Sequence, residues 1–283
     1  MNTTSEPTVR RGQGRTVLEG LHLVKEYPVG PRRGLLRRQQ GMRAVDDVSV
    51  SLVQGRVTAL VGQSGSGKST LGRMLARLVP VTSGSILLDK RDVTARSSIG
   101  QRAYVGDVQL TLQDPFASLN PLRRVDYILG RAVRIHQDAR GDDAVRDRCR
   151  QLLERVGLTP TERYLDRFPH ELSGGERQRV SFARALAASP KVLIADEPVS
   201  MLDVTIRREM LDLIDDLRRD EDLAVLYITH DLASARQYSN EVLVMHDGRV
   251  VESGDSAEVI DDPQHEYTRR LLAAAPDPAS RLG

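Results

Sequence analysis

The sequence holds a single cysteine, Cys149, among 283 residues. One thiol can form neither an internal disulfide nor a thiolate metal cluster, so a disulfide scaffold is excluded. A lone thiol suits a reducing compartment. Long apolar runs are missing too, and none approaches the roughly 18–20 residues needed to cross a bilayer. Residues 1–15 have no apolar core, so they do not read as a secretory signal. Charge of one sign is also absent: 41 Lys and Arg stand against 39 Asp and Glu, a net charge of +2. Most basic residues therefore have acidic counterparts, which gives no general attraction to nucleic acid. The expectation is a cytosolic chain whose membrane role, if any, comes through a partner. Lysine is scarce, with only Lys25, Lys68, Lys90 and Lys191 in an arginine-rich chain. A lysine in a glycine loop departs from that habit. A compact ammonium sits between phosphate oxygens where a planar guanidinium fits badly.

What is present is ordinary for a globular protein, with 40% hydrophobic and 28% charged residues. The length suits one sizeable α/β domain with attachments, or two small domains. Residues 1–16 read as a disordered leader and 18–27 as a first strand. Residues 30–41, with Arg32, Arg33, Arg37 and Arg38, read as a loop. It is either a solvated hairpin tip or a loop facing a membrane or nucleotide. Val48-Ser49-Val50-Ser51-Leu52 alternates as a half-buried strand does. Residues 57–61 form a short apolar run, and a helix is expected from Lys68 through Leu71, Leu75 and Leu78. Residues 115–172, with apolar Leu152, Leu153 and Val156, read as an inserted helical subdomain. Another helix opens at Ser173 and runs to about residue 188. Ile206, Met210, Leu213, Ile214 and Leu217 mark one face of an amphipathic helix. Residues 192–195 and 223–229 read as buried strands. Asp247-Gly248, flanked by the segments 242–245 and 249–252, predicts a hairpin. Strands alternating with helices predict a mainly parallel sheet with helices on both faces.

Gly62-Gln63-Ser64-Gly65-Ser66-Gly67-Lys68-Ser69 meets the spacing G-x-x-x-x-G-K-[ST] between a strand and a helix. Glycines let the backbone curl so that several N–H groups converge on phosphate oxygens. Lys68 is expected at the β- and γ-phosphates of ATP, Ser69 on Mg²⁺, and Thr70 at the α-phosphate. A dinucleotide-binding G-x-G-x-x-G loop is disfavoured, because that spacing is absent and Lys68 has no role in it. The run Val192-Leu193-Ile194-Ala195 carries Asp196 and Glu197 to a strand's C-terminal end, where phosphates sit in such folds. Asp196 is expected to hold Mg²⁺ through water, and Glu197 to polarise the attacking water. Taken alone, an acidic pair in that place could equally cap a helix.

Leu172-Ser173-Gly174-Gly175-Glu176-Arg177-Gln178 resembles the ABC signature. With it, residues 17–276 resemble the nucleotide-binding subunits of ABC transporters. The resemblance implies an α/β fold with a P-loop NTPase (RecA-like) core, an antiparallel β subdomain and the inserted helical subdomain. It implies a nucleotide-binding domain at 17–255, its helical part at about 115–178, and a family-specific tail at 256–283. Ser173, Gly174 and Gly175 at a helix N-terminus would form a second anion site. In the family that site faces the γ-phosphate held by another subunit. Gln113 resembles the glutamine that contacts Mg²⁺ or its water and senses the transmembrane partner. Ser200-Met201-Leu202-Asp203 resembles the D-loop, with Met201 where alanine is commoner and Asp203 kept. His230 resembles the switch histidine at the γ-phosphate. Tyr27 occupies the place of the aromatic that stacks on adenine.

Gln113-Asp114-Pro115-Phe116-Ala117-Ser118-Leu119-Asn120-Pro121 looks like the subunits that power oligopeptide, dipeptide and nickel import. So does His265-Glu266-Tyr267-Thr268-Arg269-Arg270-Leu271-Leu272. Tyr27-Pro28-Val29 and the basic loop are similar to the second of the two ATPase subunits usual in such importers. The tail lacks the cysteine cluster of some relatives, so no iron–sulfur centre is expected. The implied partners are a second ATPase subunit, two membrane permeases and, indirectly, an extracytoplasmic solute-binding protein, with no nucleic acid. The implied place is the cytoplasmic face of the membrane. Di- or oligopeptides are the first choice of cargo, and nickel or an oligosaccharide the alternative. A soluble ABC ATPase of repair or translation is disfavoured by the single set of motifs and the lack of heptads. A regulatory module that binds ATP without hydrolysis is disfavoured by the intact Glu197 and His230.

Overall fold

The computed structural model describes residues 14–28, 41–95, 100–114, 119–137 and 139–274. The expected basic loop lies outside these residues except for Gly41, as do residues 1–13 of the leader and 115–118 of the glutamine-loop motif. The chain forms two compact units. One comprises Met1–Val53, Val57–Ser98 and Leu226–Gly283. The other comprises Gln54–Arg56 and Ile99–Val225.

In the first unit β1 (Thr16–Pro28), β2 (Gly41–Val53), β4 (Ser83–Leu88) and β5 (Arg91–Asp92) form an antiparallel sheet in the order β2-β1-β4-β5. β1 begins at Thr16, the last residue of the expected leader. Val48, Val50 and Leu52 are buried along β2, the face the alternating pattern selects. His22 and Asp47 take positive φ (50° and 58°) where the β1–β2 register shifts, as at β-bulges.

The same unit holds β3 (Val57–Val61), β9 (Glu241–His246) and β10 (Arg249–Asp255). β3 pairs parallel to β9, with Ala59 opposite Val242 and Val61 opposite Val244. All five β3 residues are buried, which is why the strand reads as a continuous run rather than an alternation. β9 and β10 close as an antiparallel hairpin through Asp247 and Gly248. Both turn residues have positive φ (46° and 81°), the backbone that a right-twisted two-residue hairpin needs.

The helix after the glycine loop, α1 (Lys68–Leu75), is shorter than its apolar spacing predicts. Leu78 lies beyond it and is exposed. The reason is a C-terminal Schellman motif. Arg77 turns left-handed (φ 55°) and donates to the Met74 carbonyl at 2.8 Å. Leu78 N–H donates to the Arg73 carbonyl at 2.9 Å. Arginine occupies the place usually signalled by glycine, so the stop has no sequence flag.

In the second unit β6 (Val108–Thr111) pairs parallel to β7 (Val192–Asp196), with Val108 opposite Val192 and Thr111 opposite Ala195. This unit also holds α2 (Gln101–Asp107), α3 (Val125–His136), α4 (Asp142–Arg155), α5 (Glu162–Leu165), α6 (Gly174–Leu186) and α7 (Val204–Glu221). Leu152, Leu153 and Val156 are buried, as are Met210, Leu213, Ile214 and Leu217 of α7. The compact unit extends past the expected helical segment 115–178 in both directions and takes in β6, β7 and α7. β8 (Ala224–Thr229) spans the division.

Helices flank the β9–β10 hairpin on both sides in sequence. α8 (Leu232–Tyr238) precedes the hairpin, while α9 (Ser256–Asp261) and α10 (Glu266–Ala273) follow it. Among the described residues, no helix is long and apolar enough to cross a membrane.

Candidate functional site

In the first unit the glycine loop leaves β3 and enters α1. A Cβ on Gly62 would lie 2.2 Å from the Met245 carbonyl oxygen, and one on Gly67 would lie 2.1 Å from the Ala44 carbonyl oxygen. Both obstacles are backbone, so these two positions pass only as glycine. Ser66 N–H donates to the Gln63 carbonyl at 3.2 Å and closes the curl. Lys68 is buried, and its ammonium donates to the carbonyls of Gly62 (2.7 Å) and Gln63 (2.8 Å). Gly67 stands at the N-cap of α1 with no side-chain cap, and the first turn carries no acid. Ser69 and Thr70 lie in that turn. A helix N-terminus left open in this way suits an anion, because its N–H groups and dipole both favour negative charge. Ser64 and Gly65 are exposed at the loop's outer side.

His230 and Tyr27 belong to the same unit. His230 is exposed directly after β8, where Asp231 N–H donates to Thr229 Oγ1 at 3.0 Å. Asp231 then caps α8, accepting from Ala233 N–H at 3.0 Å. These bonds fix the backbone on which His230 stands. Tyr27 is half-buried near the end of β1, with the Lys25 ammonium 5.1 Å from its ring centroid, a cation–π distance.

In the second unit the parallel register positions the acidic pair and the glutamine. Thr111 faces Ala195, so two residues on, Gln113 and Glu197 stand level. Gln113 Nε2 donates to Glu197 Oε2 at 2.9 Å. Asp196 ends β7 and is buried. Glu197 turns left-handed (φ 46°), an uncommon backbone for a non-glycine residue that occurs where structure over-determines it. Ser200 holds that turn, its N–H donating to the Glu197 carbonyl at 3.3 Å and its hydroxyl at 3.1 Å.

Ser173 opens α6 through a capping box. Its hydroxyl accepts from Glu176 N–H (3.2 Å), and Glu176 accepts from Ser173 N–H (2.8 Å). Burial works to raise the Glu176 carboxyl, but the hydrogen bonds from Ser173 and Tyr164 and the Arg163 charge together outweigh it, so the group sits below its ordinary value. Gly174 and Gly175 form the first turn. Asp203 caps α7, accepting from Ile206 N–H at 3.0 Å.

Two features were not singled out from sequence. β6, only four residues long, carries Gln113 to Glu197. Tyr267, in α10, accepts a hydrogen bond from the Gln63 N–H at 3.2 Å. The tail motif was visible in the sequence, but nothing in it signals this contact across 204 positions. Among the described residues, no group of three or more His, Cys, Asp or Glu side chains could hold a metal.

Residues 45–200 match the family model described as ABC transporter. The chain is 46% identical over 264 residues to the glutathione import ATP-binding protein GsiA of Escherichia coli strain K12. It is 44% identical over 265 residues to GsiA of Salmonella paratyphi A. Each match covers 93% of this chain and 42% of the relative. The chain thus spans about two fifths of the length of these curated relatives. Among solved structures it is similar to a dimeric post-hydrolysis state of the ATP-binding cassette MJ0796 bound to ADP and Pi. That likeness has a TM-score of 0.73 over 84% of this chain and 98% of the other, at 24% identity, and concerns the fold alone. The chain is also similar to cbiO1 from Clostridium perfringens, part of the ABC transporter complex cbiONQ. There the TM-score is 0.73 over 94% of this chain and 98% of the other, at 27% identity.

Proposed function

The chain belongs to the ABC transporter family, and from that premise we propose that it binds and hydrolyses ATP to power solute import. The observation that carries the reading is the glycine loop. Its backbone at Gly62 and Gly67 fits only as glycine, its lysine is buried, and it leads into a helix N-terminus without a side-chain cap. Residues 17–255 form the nucleotide-binding domain, with a helical part at about 115–178, and 256–283 the tail.

Each residue then has a task. Backbone N–H groups of the loop cradle the phosphates, apart from those of Gln63 and Ser66, which bond within the fold, and Lys68 meets the β- and γ-oxygens. Thr70 bonds the α-phosphate, and Tyr27 stacks on adenine. Ser69, Asp196 and Gln113 fit Mg²⁺, since hydroxyl, carboxylate and amide oxygens are the hard donors it takes. The Gln113 amide nitrogen faces Glu197, which leaves its oxygen as the donor. Mg²⁺ would offset charge on the phosphate oxygens. Glu197 accepts the proton of the attacking water, and its geometry is held by Gln113 and Ser200. His230 donates to the γ-phosphate as its charge grows. Ser173, Gly174, Gly175 and Asp203 serve the nucleotide bound by a second ATPase subunit. Most of the rate comes from positioning and fixed charge, as in phosphoryl transfer generally.

The partners are that second subunit, two permeases and, indirectly, an extracytoplasmic binding protein, at the cytoplasmic face of the membrane. The cargo is a di- or oligopeptide. Support comes from the relatives named for import of glutathione, a small peptide.

Glu197→Gln tests the reaction. ATP binding should persist while turnover falls at least about tenfold, a barrier increase of about 1.4 kcal/mol. Unchanged turnover would remove Glu197 from the base role.

A further inference from the structure

The segment after the β9–β10 hairpin reaches back to the glycine loop. Glu252 in β10 accepts hydrogen bonds from the backbone N–H groups of Gln264 (2.7 Å) and His265 (3.1 Å). These set where α10 starts. His265 Nδ1 then accepts from Tyr267 N–H at 3.1 Å as the helix cap. The cap directs Tyr267 inward, where the residue is 9% exposed. Its ring stacks on His246, with centroids 3.8 Å apart and planes 20° from parallel. Its hydroxyl accepts from the Gln63 N–H at 3.2 Å.

The Gln63 peptide is where the loop's own bonds meet. Its carbonyl accepts from the Lys68 ammonium at 2.8 Å and from Ser66 N–H at 3.2 Å. The neighbouring Gly62 carbonyl takes the second Lys68 bond at 2.7 Å. The hairpin braces the far side of the loop, with Gly248 N–H donating to the Ser66 carbonyl at 3.0 Å. Tyr267 therefore touches the loop directly and stacks on the same hairpin end that braces it.

We propose that Tyr267 is a positioning residue for the nucleotide. Its hydroxyl holds the Gln63 peptide, and that peptide sets where the Lys68 ammonium stands. The proposal rests on the reading that this loop binds ATP. It makes α10 a built-in determinant of ATP affinity rather than an appendage. Tyr267 bonds the loop's backbone, so its effect is on the cradle and not on the chemistry.

The test is Tyr267→Phe in the full chain, which keeps the ring on His246 and removes only the hydroxyl. The Kd and KM for Mg·ATP should rise about 3- to 10-fold, the equivalent of one net hydrogen bond. kcat at saturating ATP should stay within about twofold, because uniform binding is what is lost. Amide exchange at Gln63 should quicken, a readout taken without nucleotide. Lys68→Ala in the same titration checks the parent reading. Wild-type affinity and wild-type Gln63 exchange in Tyr267→Phe, with ATP binding by the parent chain intact, would overturn the proposal alone. A parent chain that binds no ATP would overturn the nucleotide reading and the proposal with it.

Discussion

Gly65 and Gly67 stand two residues apart in the same loop, and both take left-handed backbone (φ 81° and 106°). Alanine at either position carries left-handed strain of about 1–2 kcal/mol. A stiffer unfolded chain offsets about 0.4–1 kcal/mol of that. The two positions then differ in space. Nothing lies within 4 Å of a Cβ on Gly65, whereas one on Gly67 would sit 2.1 Å from the Ala44 carbonyl oxygen and 2.8 Å from Met245 Cε. The methionine methyl can swing aside, but the Ala44 carbonyl is main chain, held between Arg43 and Val45, which pair with Glu26 and Lys25 of β1. Overpacking of that kind adds about 1–3 kcal/mol. Gly65→Ala should therefore cost about 1 kcal/mol, and Gly67→Ala about 3 kcal/mol. The chain has no tryptophan, so urea unfolding is best followed by far-ultraviolet circular dichroism. Equal midpoints for the two variants, or Gly67→Ala within about 1 kcal/mol of the parent, would refute the reasoning.

Two further outcomes follow from electrostatics. Burial pushes the Cys149 thiol up to about 11, so it should resist thiol reagents at neutral pH and react only as the second unit opens. Rapid labelling under native conditions would contradict its buried place. Asp46 accepts from Arg249 Nε (2.8 Å) and Arg43 Nη1 (2.8 Å). The Arg249 hydrogen bond is the largest cause holding its carboxyl below the ordinary range, against burial. A carboxyl lowered in the folded state stabilises above its unfolded value, and that contribution is lost as pH falls through its folded value. Asp46→Asn should lower stability at neutral pH and flatten the acid-side decline below about pH 4, read by denaturant midpoints across pH. A variant with the parent's acid profile would show that the Asp46 bridge does not contribute to it.

What the sequence alone determined is what local chemistry encodes. The turn at Asp247-Gly248, the Ser173 helix start, and the strand, loop and helix around Gly62 to Ser69 all depend on residues a few positions apart. Backbone torsion, capping and apolar period act over that range, so they can be read in order along the chain. The end of α1 failed the same reading, because Arg77 supplies a left-handed turn that glycine usually signals. The tertiary structure alone decided the pairings between distant positions. Gln113 meets Glu197 because β6 and β7 lie in one register, and a one-residue slip would turn the two side chains apart. Tyr267 meets Gln63 because Glu252 and His265 set the start of α10. The glycines of the loop showed that a phosphate could be held. Which carbonyls forbid any other residue, and which tyrosine holds the loop's first turn, depended on segments brought together only by folding.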